Sequence, residues 1–298
     1  MSPERDATMV DVGGRTLTVT RLDKVLFPDD GFTKGQMIDY YVRVADAMLP
    51  HLEGRPLTMK RYPDGVSGQF FFEKHLPSGA PRWVKTITVP TSDGKGSVTH
   101  PVIADLATLV WAANLGAIEM HVPLWSAGRR RKLPAPPDQF VVDLDPGPGT
   151  SIVECCAVAG FAREVLERLG LSPVAKTSGS KGLQLYAPLA GTVGWDRSRT
   201  MARDLARELE QNHPDLVVSN MRKELRKGRV LVDWSQNHPM KTTVAAYSLR
   251  ARDRPTASTP VSWDEVEACA DSGDPADLAF GAPEVLDRLA ERGDLFDA

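Results

Sequence analysis

The apolar positions of the chain change period several times, and each change marks an element. In GQMIDYYVRVADAML, Met37, Tyr41, Val44 and Met48 recur at helical spacing, and Thr33 with Gln36 supplies a capping-box pattern ahead of them. The apolar run PVIADLATLVWAANLG predicts a second helix over 101–116. In QFVVDLDPGPGT, residues 139–150, the period becomes two: Phe140, Val142 and Leu144 fall on one face of a strand, Val141, Asp143 and Asp145 on the other. After the PGPG turn, Ser151 and Glu154 cap a helix that runs to Gly170, and SRTMARDLARELEQN predicts another over 198–212. LQLYAPL (183–189) and RVLVDWS (229–235) are strand patterns, and Ser262 with Glu265 opens a short acidic helical tail. There is no repeat, low-complexity tract or evident linker. The pattern predicts one integrated α/β domain over 1–298, with 1–20 as a lead-in and 264–298 as an acidic tail.

The strand of 139–145 ends on two carboxylates that project the same way, their Cα atoms roughly 6.6 to 7 Å apart. They repel unless something positive lies between them, and a divalent cation with hard oxygen ligands is the usual solution. A solvated strand end is the alternative. Asp233, alternating with Val230, Val232 and Trp234, is a third carboxylate in an apolar strand and needs a partner. Either an arginine pairs with it, or it completes a cage of three carboxylates for two ions, an arrangement suited to phosphoryl chemistry.

Composition narrows the class. With 298 residues and 42% hydrophobic content the chain can bury a substantial core. It has no signal-peptide pattern and no run near the ~18 apolar residues of a membrane span, which points to a cytoplasmic protein. Cys155, Cys156 and Cys269 have no CxxC spacing, so buried thiols are expected rather than zinc or disulfides. The net charge of −3 hides an asymmetry: residues 264–298 hold eleven acidic residues against two arginines, leaving +6 on the residues before them. GRRRK (128–132) and MRKELRKGR (221–229) concentrate the positive charge, as solvated faces or as a groove for phosphate backbones. KTSGSKGLQLY (176–186) lacks a Walker A pattern, so any phosphate role rests on Ser178, Ser180 and Lys181 individually. His121, within IEMHVPLW, is by itself more often a hydrogen-bonded core histidine, and only the company it keeps argues otherwise.

DLDPG (143–147), TSGSKGLQLY (177–186) and VDWSQN (232–237) followed by KTTVAAYSLR (241–250) closely resemble the three motifs of the polymerase domain of bacterial DNA ligase D, in the archaeo-eukaryotic primase superfamily. The likeness extends through LDKVLFP (22–28), GRPLTMKRYPDG (54–65), FFEKH (71–75) and EMHVPLW (119–125), in the expected order, from about residue 12 to the C-terminus. It implies an α+β core of antiparallel and mixed sheets flanked by helices. It implies a free-standing primase-polymerase that fills short gaps in 5′-phosphorylated DNA during repair, as a monomer at the nucleoid beside a separate ligase. Its substrates would be NTPs, preferred over dNTPs, with Mn²⁺ or Mg²⁺.

By that resemblance Asp143, Asp145 and Asp233 hold the metals. His121, Ser178, Lys181 and Arg250 contact the incoming nucleotide, with Lys60 and Gln236 nearby. Phe71 and Phe72 stack on a base, and Lys24 and Lys34 grip the 5′-phosphate across the gap. Two departures stand out. Gln184 occupies a position where many relatives carry histidine, and the segment SAGRRRKLPAPPDQ is shorter than the corresponding loop, which favours gaps over broken ends. Two other classes share some features: a DNA-end binding module with a vestigial polymerase site, and a manganese-dependent DxD glycosyltransferase. The intact carboxylates speak against the first, and the third aspartate and basic body against the second.

Overall fold

A computed structural model of the protein describes residues 6–128, 133–189, 191 and 193–296. The chain opens on a hairpin, β1 (Ala7–Val12) and β2 (Arg15–Thr20), then a smaller one, β3 (Val25–Phe27) and β4 (Phe32–Thr33). Helices α1 (Lys34–Arg43) and α2 (Ala45–Leu52) follow, then β5 (Thr58–Arg61), β6 (Phe71–Glu73), the hairpin β7 (Lys85–Pro90) and β8 (Ser97–Val102), α3 (Leu106–Asn114) and β9 (Ala117–Val122). The second half comprises β10 (Gln139–Pro146), α4 (Ile152–Arg168), β11 (Val174–Thr177), β12 (Leu183–Pro188), α5 (Trp195–Asn212), β13 (Val217–Val218), β14 (Val230–Val232), β15 (Thr243–Val244), β16 (Pro260–Val261), α6 (Trp263–Ser272) and α7 (Ala282–Arg292).

Two sheets organise these elements. One has six strands in the order β13-β14-β10-β12-β11-β16, antiparallel except for β13 and β14; the other has four antiparallel strands, β15-β9-β5-β6. The expected α+β class with antiparallel and mixed sheets is what is observed. Strand β10 explains the alternation in its sequence. Phe140, Val142 and Leu144 enter one core with α4, α5 and α6, whereas Val141 enters a second core built on α1, α3, β5 and β9. Asp143 and Asp145 continue the Val141 face and so point toward the four-stranded sheet.

Several boundaries differ from the sequence pattern. The helix expected over 101–116 is α3 alone, because Val102 ends a strand and Asp105 caps Thr108. Thr33 and Gln36 form their capping box, but the helix breaks at Val44 into α1 and α2, with Met37, Tyr41 and Met48 buried across the break. The lead-in is a formed hairpin whose Leu17 and Val19 are buried, and the acidic tail is packed: Val266 and Cys269 join one core, Ala282 and Val285 the other. All three cysteines are buried and free. Of the GRRRK cluster, residues 129–132 lie outside the described residues. Among the described residues no helix is long and apolar enough to cross a membrane.

The turn after β10 is closed by contact with the basic segment 221–229. Gly147 donates to Arg229 O at 2.9 Å, and a Cβ on Gly147 would lie 1.8 Å from Arg226 O. Only glycine fits between the DxD strand and the cations it faces. Gly147→Ala should therefore cost about 2 to 3 kcal/mol in denaturant unfolding, as overpacking does. Gly160→Ala, in α4 with open space around it, should be neutral or stabilise by a few tenths to about 1 kcal/mol.

Candidate active site

Ligand oxygens of Asp143, Asp145 and Asp233 all lie within 4.8 Å of one another. Asp143 is buried, Asp233 half-buried and Asp145 exposed. Asp233 is not within a strand, as its alternation predicted; it follows β14 and caps the short turn Trp234–Gln236. Its amide donates to Asp143 O at 2.8 Å, which ties the third carboxylate to the first through the backbone. The Asp233 carboxylate accepts from Ser235 N at 3.0 Å, Ser235 Oγ at 2.5 Å and Gln236 Nε2 at 3.2 Å, so it is held by polar neighbours rather than by an arginine.

Burial, with the Asp145 charge beside it, pushes the Asp143 carboxyl up to about 7, and burial with the Asp233 charge raises Asp145. Three like charges at such range are relieved by a cation. The donors are hard oxygens with no histidine or cysteine among them, a set that suits Mg²⁺ or Mn²⁺.

The facing wall comes from the four-stranded sheet and centres on Glu119, which is 1% exposed. Its carboxylate meets Lys60 Nζ at 3.2 Å, His121 Nε2 at 2.9 Å, Arg250 Nε at 3.2 Å and the amide of Ala251 at 3.2 Å. Burial alone would raise its pKa; His121, Arg250 and Lys60 overcome that and bring it down to about 2. Burial lowers His121 despite the same carboxylate. Arg250 Nη1 also donates to Ser178 O at 2.6 Å, tethering the TSGSKG loop. Within that loop the amides of Ser180 and Gly182 both donate to Ser178 Oγ at 3.3 and 3.1 Å, which fixes the hydroxyl oxygen and leaves its proton to donate. Gly182 is required there, since a Cβ would sit 2.2 Å from Leu144 O.

Between the two walls is a cleft of about 460 Å³. Asp143 and Asp145 share it with His121, Ser178, Lys181, Gln236 and Arg250. Lys60 is held at its edge by Glu119. The two predicted aromatics separate. Phe72 pairs with Lys60 across β5 and β6, and its ring lies 6.1 Å from that of His121, whereas Phe71 pairs with Arg61 and lies under its guanidinium at 5.1 Å. Both rings are exposed, as is Phe70, over which Lys60 also lies.

Lys24 and Lys34 come together, Lys34 N donating to Lys24 O at 2.8 Å, but neither lines the cleft. Neither is a freely solvated surface lysine. Lys24 Nζ binds Pro63 O at 2.5 Å and Asp64 at 2.7 Å. Lys34 is 4% exposed, bound to Thr20 O and Asn114 Oδ1, both at 2.7 Å. Burial, with Arg21, Lys24 and Arg61 nearby, lowers it to about 8. Sequence reasoning also missed Glu119, Lys176, Arg226 and Arg252. Glu119 had a visible signal, as a charge two residues before His121 in an apolar strand. Arg226 and Arg252 line the cleft; Arg226 belongs to the basic run 221–229 that the sequence marked only as a cluster, and nothing in the pattern singles out Arg252.

A model of the LigD primase-polymerase domain family matches residues 33–296. The chain belongs to that family. It is 43% identical to the multifunctional non-homologous end joining protein LigD of Mycolicibacterium smegmatis over 277 residues, which cover 93% of this chain and 35% of the relative. Against the Mycobacterium tuberculosis LigD the identity is 44% over 285 residues, 94% of this chain and 36% of the relative. The chain thus spans about a third of the length of these relatives. The solved polymerase domain of Mycobacterium tuberculosis ligase D in complex with DNA superposes with a TM-score of 0.88 at 44% identity, covering 94% of this chain and 96% of that one. Primase-polymerase domains of the LigD family are nucleotidyltransferases, and the acidic cluster is consistent with a two-metal form of that chemistry.

The raised Asp143 carboxyl has a measurable consequence without metal. Folded Asp143 keeps its proton to about 7, against an ordinary 3.8, so between those values the folded state binds more protons and stability falls as pH rises. In chelator at pH 8, Asp143→Asn should melt a few degrees above the wild type, with the gap closing toward pH 5. Saturating Mn²⁺ should reverse the order, stabilising the wild type alone.

Proposed function

We propose that this chain is a template-dependent nucleotidyltransferase that extends a primer 3′-hydroxyl across short gaps in 5′-phosphorylated DNA, with ribonucleotides as preferred substrates. The observation that carries the reading is the pairing of a three-carboxylate cluster with a cationic, loop-lined cleft in a primase-polymerase fold. Residues 1–298 work as one catalytic unit, as a soluble monomer at the nucleoid, and the product is sealed by a DNA ligase activity.

Asp143, Asp145 and Asp233 would hold two Mn²⁺ or Mg²⁺ ions, which when bound activate the attacking oxygen and neutralise the leaving pyrophosphate. The surrounding residues bind and orient. Lys181, Arg250 and the hydroxyl of Ser178 receive the triphosphate, because donors of fixed position suit phosphate oxygens. His121, held against Glu119, and Lys60 close the same wall. Gln236 steadies Asp233. Phe72, on the cleft face, stacks on the base of the nucleotide or template, and Phe71 supports the opposite face. Lys24, whose partner Asp64 is exposed, exchanges that contact for a 5′-phosphate, while Lys34 beneath it fixes the turn and adds positive potential.

The test is extension of gapped DNA with NTPs or dNTPs. Wild type should synthesise in Mn²⁺, and Asp143→Ala or Asp145→Ala should abolish synthesis while keeping gapped-DNA affinity. DNA binding by the wild type without synthesis would favour a vestigial module, and sugar transfer a glycosyltransferase.

Two further outcomes follow from side-chain placement. Phe72→Ala should raise the nucleotide KM about ten-fold or more, in line with the ~1 to 3 kcal/mol of a stacked base, while Phe71→Ala leaves KM within about two-fold. Lys24→Ala should erase the preference for 5′-phosphate over 5′-hydroxyl with Tm unchanged. Lys34→Ala should lower Tm as well, because it removes the bonds from a buried ammonium to Thr20 O and Asn114 Oδ1.

A further inference from the structure

Lys176, Gln184 and Asp143 stand directly opposite one another on three neighbouring strands, β11, β12 and β10. They form one row across the face of the six-stranded sheet that ends at the metal cluster. Lys176 is 1% exposed and lines no part of the cleft. Its ammonium touches three oxygens: Gln184 Oε1 at 2.5 Å, Ser258 Oγ at 2.7 Å and Val244 O at 3.1 Å.

Burial brings Lys176 down to about 7, and in its protonated form the direction of these bonds is forced. Val244 O can only accept. Ser258 commits its own proton to Thr177 O at 2.8 Å, so toward Lys176 it too must accept. An ammonium has three N–H groups and no lone pair, so the third contact must also be an acceptor. Gln184 therefore turns Oε1 toward Lys176, and its NH₂ faces the other way, donating to Asp143 Oδ1 at 2.9 Å. The reversed amide would set N–H against ammonium at one end and oxygen against carboxylate at the other.

We propose that Lys176 is a positioning residue: acting through Gln184, it fixes an N–H on Asp143 Oδ1 and so reserves the other carboxylate oxygen, in one orientation, for the divalent cation. An apolar residue would fill the space in the sheet without desolvating a charge. What the ammonium adds is the polarity of the row. The relay rests on the metal reading of the aspartate cluster, and the experiment separates the two.

Mn²⁺ alone is titrated into the full chain, following free Mn²⁺ by electron paramagnetic resonance, with melting temperature measured in chelator. Wild type should bind and Asp145→Asn should lose binding. Lys176→Met and Gln184→Met should each weaken Mn²⁺ affinity about ten-fold, the lower end of what outer partners of metal ligands contribute. The double variant should be no weaker than either single one, because both break the same relay. At saturating Mn²⁺ the single variants should regain most of the wild-type extension rate. If Lys176→Met is insoluble, Gln184→Met alone decides, since it removes the donor and leaves the lysine its other two acceptors. Wild-type Mn²⁺ affinity in Gln184→Met, or additive losses in the double variant, would overturn the relay while leaving the metal site intact. A wild type that binds no Mn²⁺ overturns both.

Discussion

Repulsion among three carboxylates is the constraint around which the molecule is arranged. Asp143, Asp145 and Asp233 are brought within reach of one ion by a strand end, a strand face and a backbone hydrogen bond. Nothing in a stable core favours that arrangement: burial and mutual charge hold two of the three above their ordinary pKa. Such destabilisation is retained where chemistry requires it. The antiparallel pairing of β10 with β12 and β14 supplies the rigidity, and Gly147 and Gly182 let the basic segment and the TSGSKG loop approach the strand closely enough to share its charge.

The opposite wall solves the inverse problem. Lys60 and Arg250 would repel one another, and the buried Glu119 gathers both together with His121. One carboxylate with three cationic or polar partners holds these side chains at fixed positions, His121 and Arg250 lining the cleft. Donors held in advance cost little reorganisation when a phosphate arrives. Each wall thus carries charge that its own side cannot neutralise, negative on the strand end and positive across from it. A metal-bound nucleoside triphosphate, with cations on one side and phosphate oxygens on the other, is complementary to both.

How much of this could be read from the sequence depends on whether a feature is local. The two-residue period of 139–145 put Asp143 and Asp145 on one face, and the capping boxes at Thr33, Ser151 and Ser262 started helices where expected, because both signals lie within a few residues. The end of β8 before α3 was not legible, since an apolar run suits a buried strand and a buried helix alike. Asp233 was predicted on the right side for an incomplete reason: alternation placed it, but the backbone bond to Asp143 spans 90 residues of sequence. The row from Lys176 through Gln184 to Asp143 depends on strand register, which no single segment encodes. The burial of Lys34 was hidden for the same reason, because its partners Thr20 and Asn114 are distant in the chain.

The central claim is that the aspartate cluster and the facing cationic wall together bind a metal-nucleotide complex. Its most direct test counts Mn²⁺ bound at equilibrium in the presence of a nucleoside triphosphate that cannot be cleaved between its α- and β-phosphates. The account predicts two ions per chain in the wild type, with loss of tight binding in Asp145→Asn. Binding of the nucleotide with no Mn²⁺ dependent on Asp145 would contradict it.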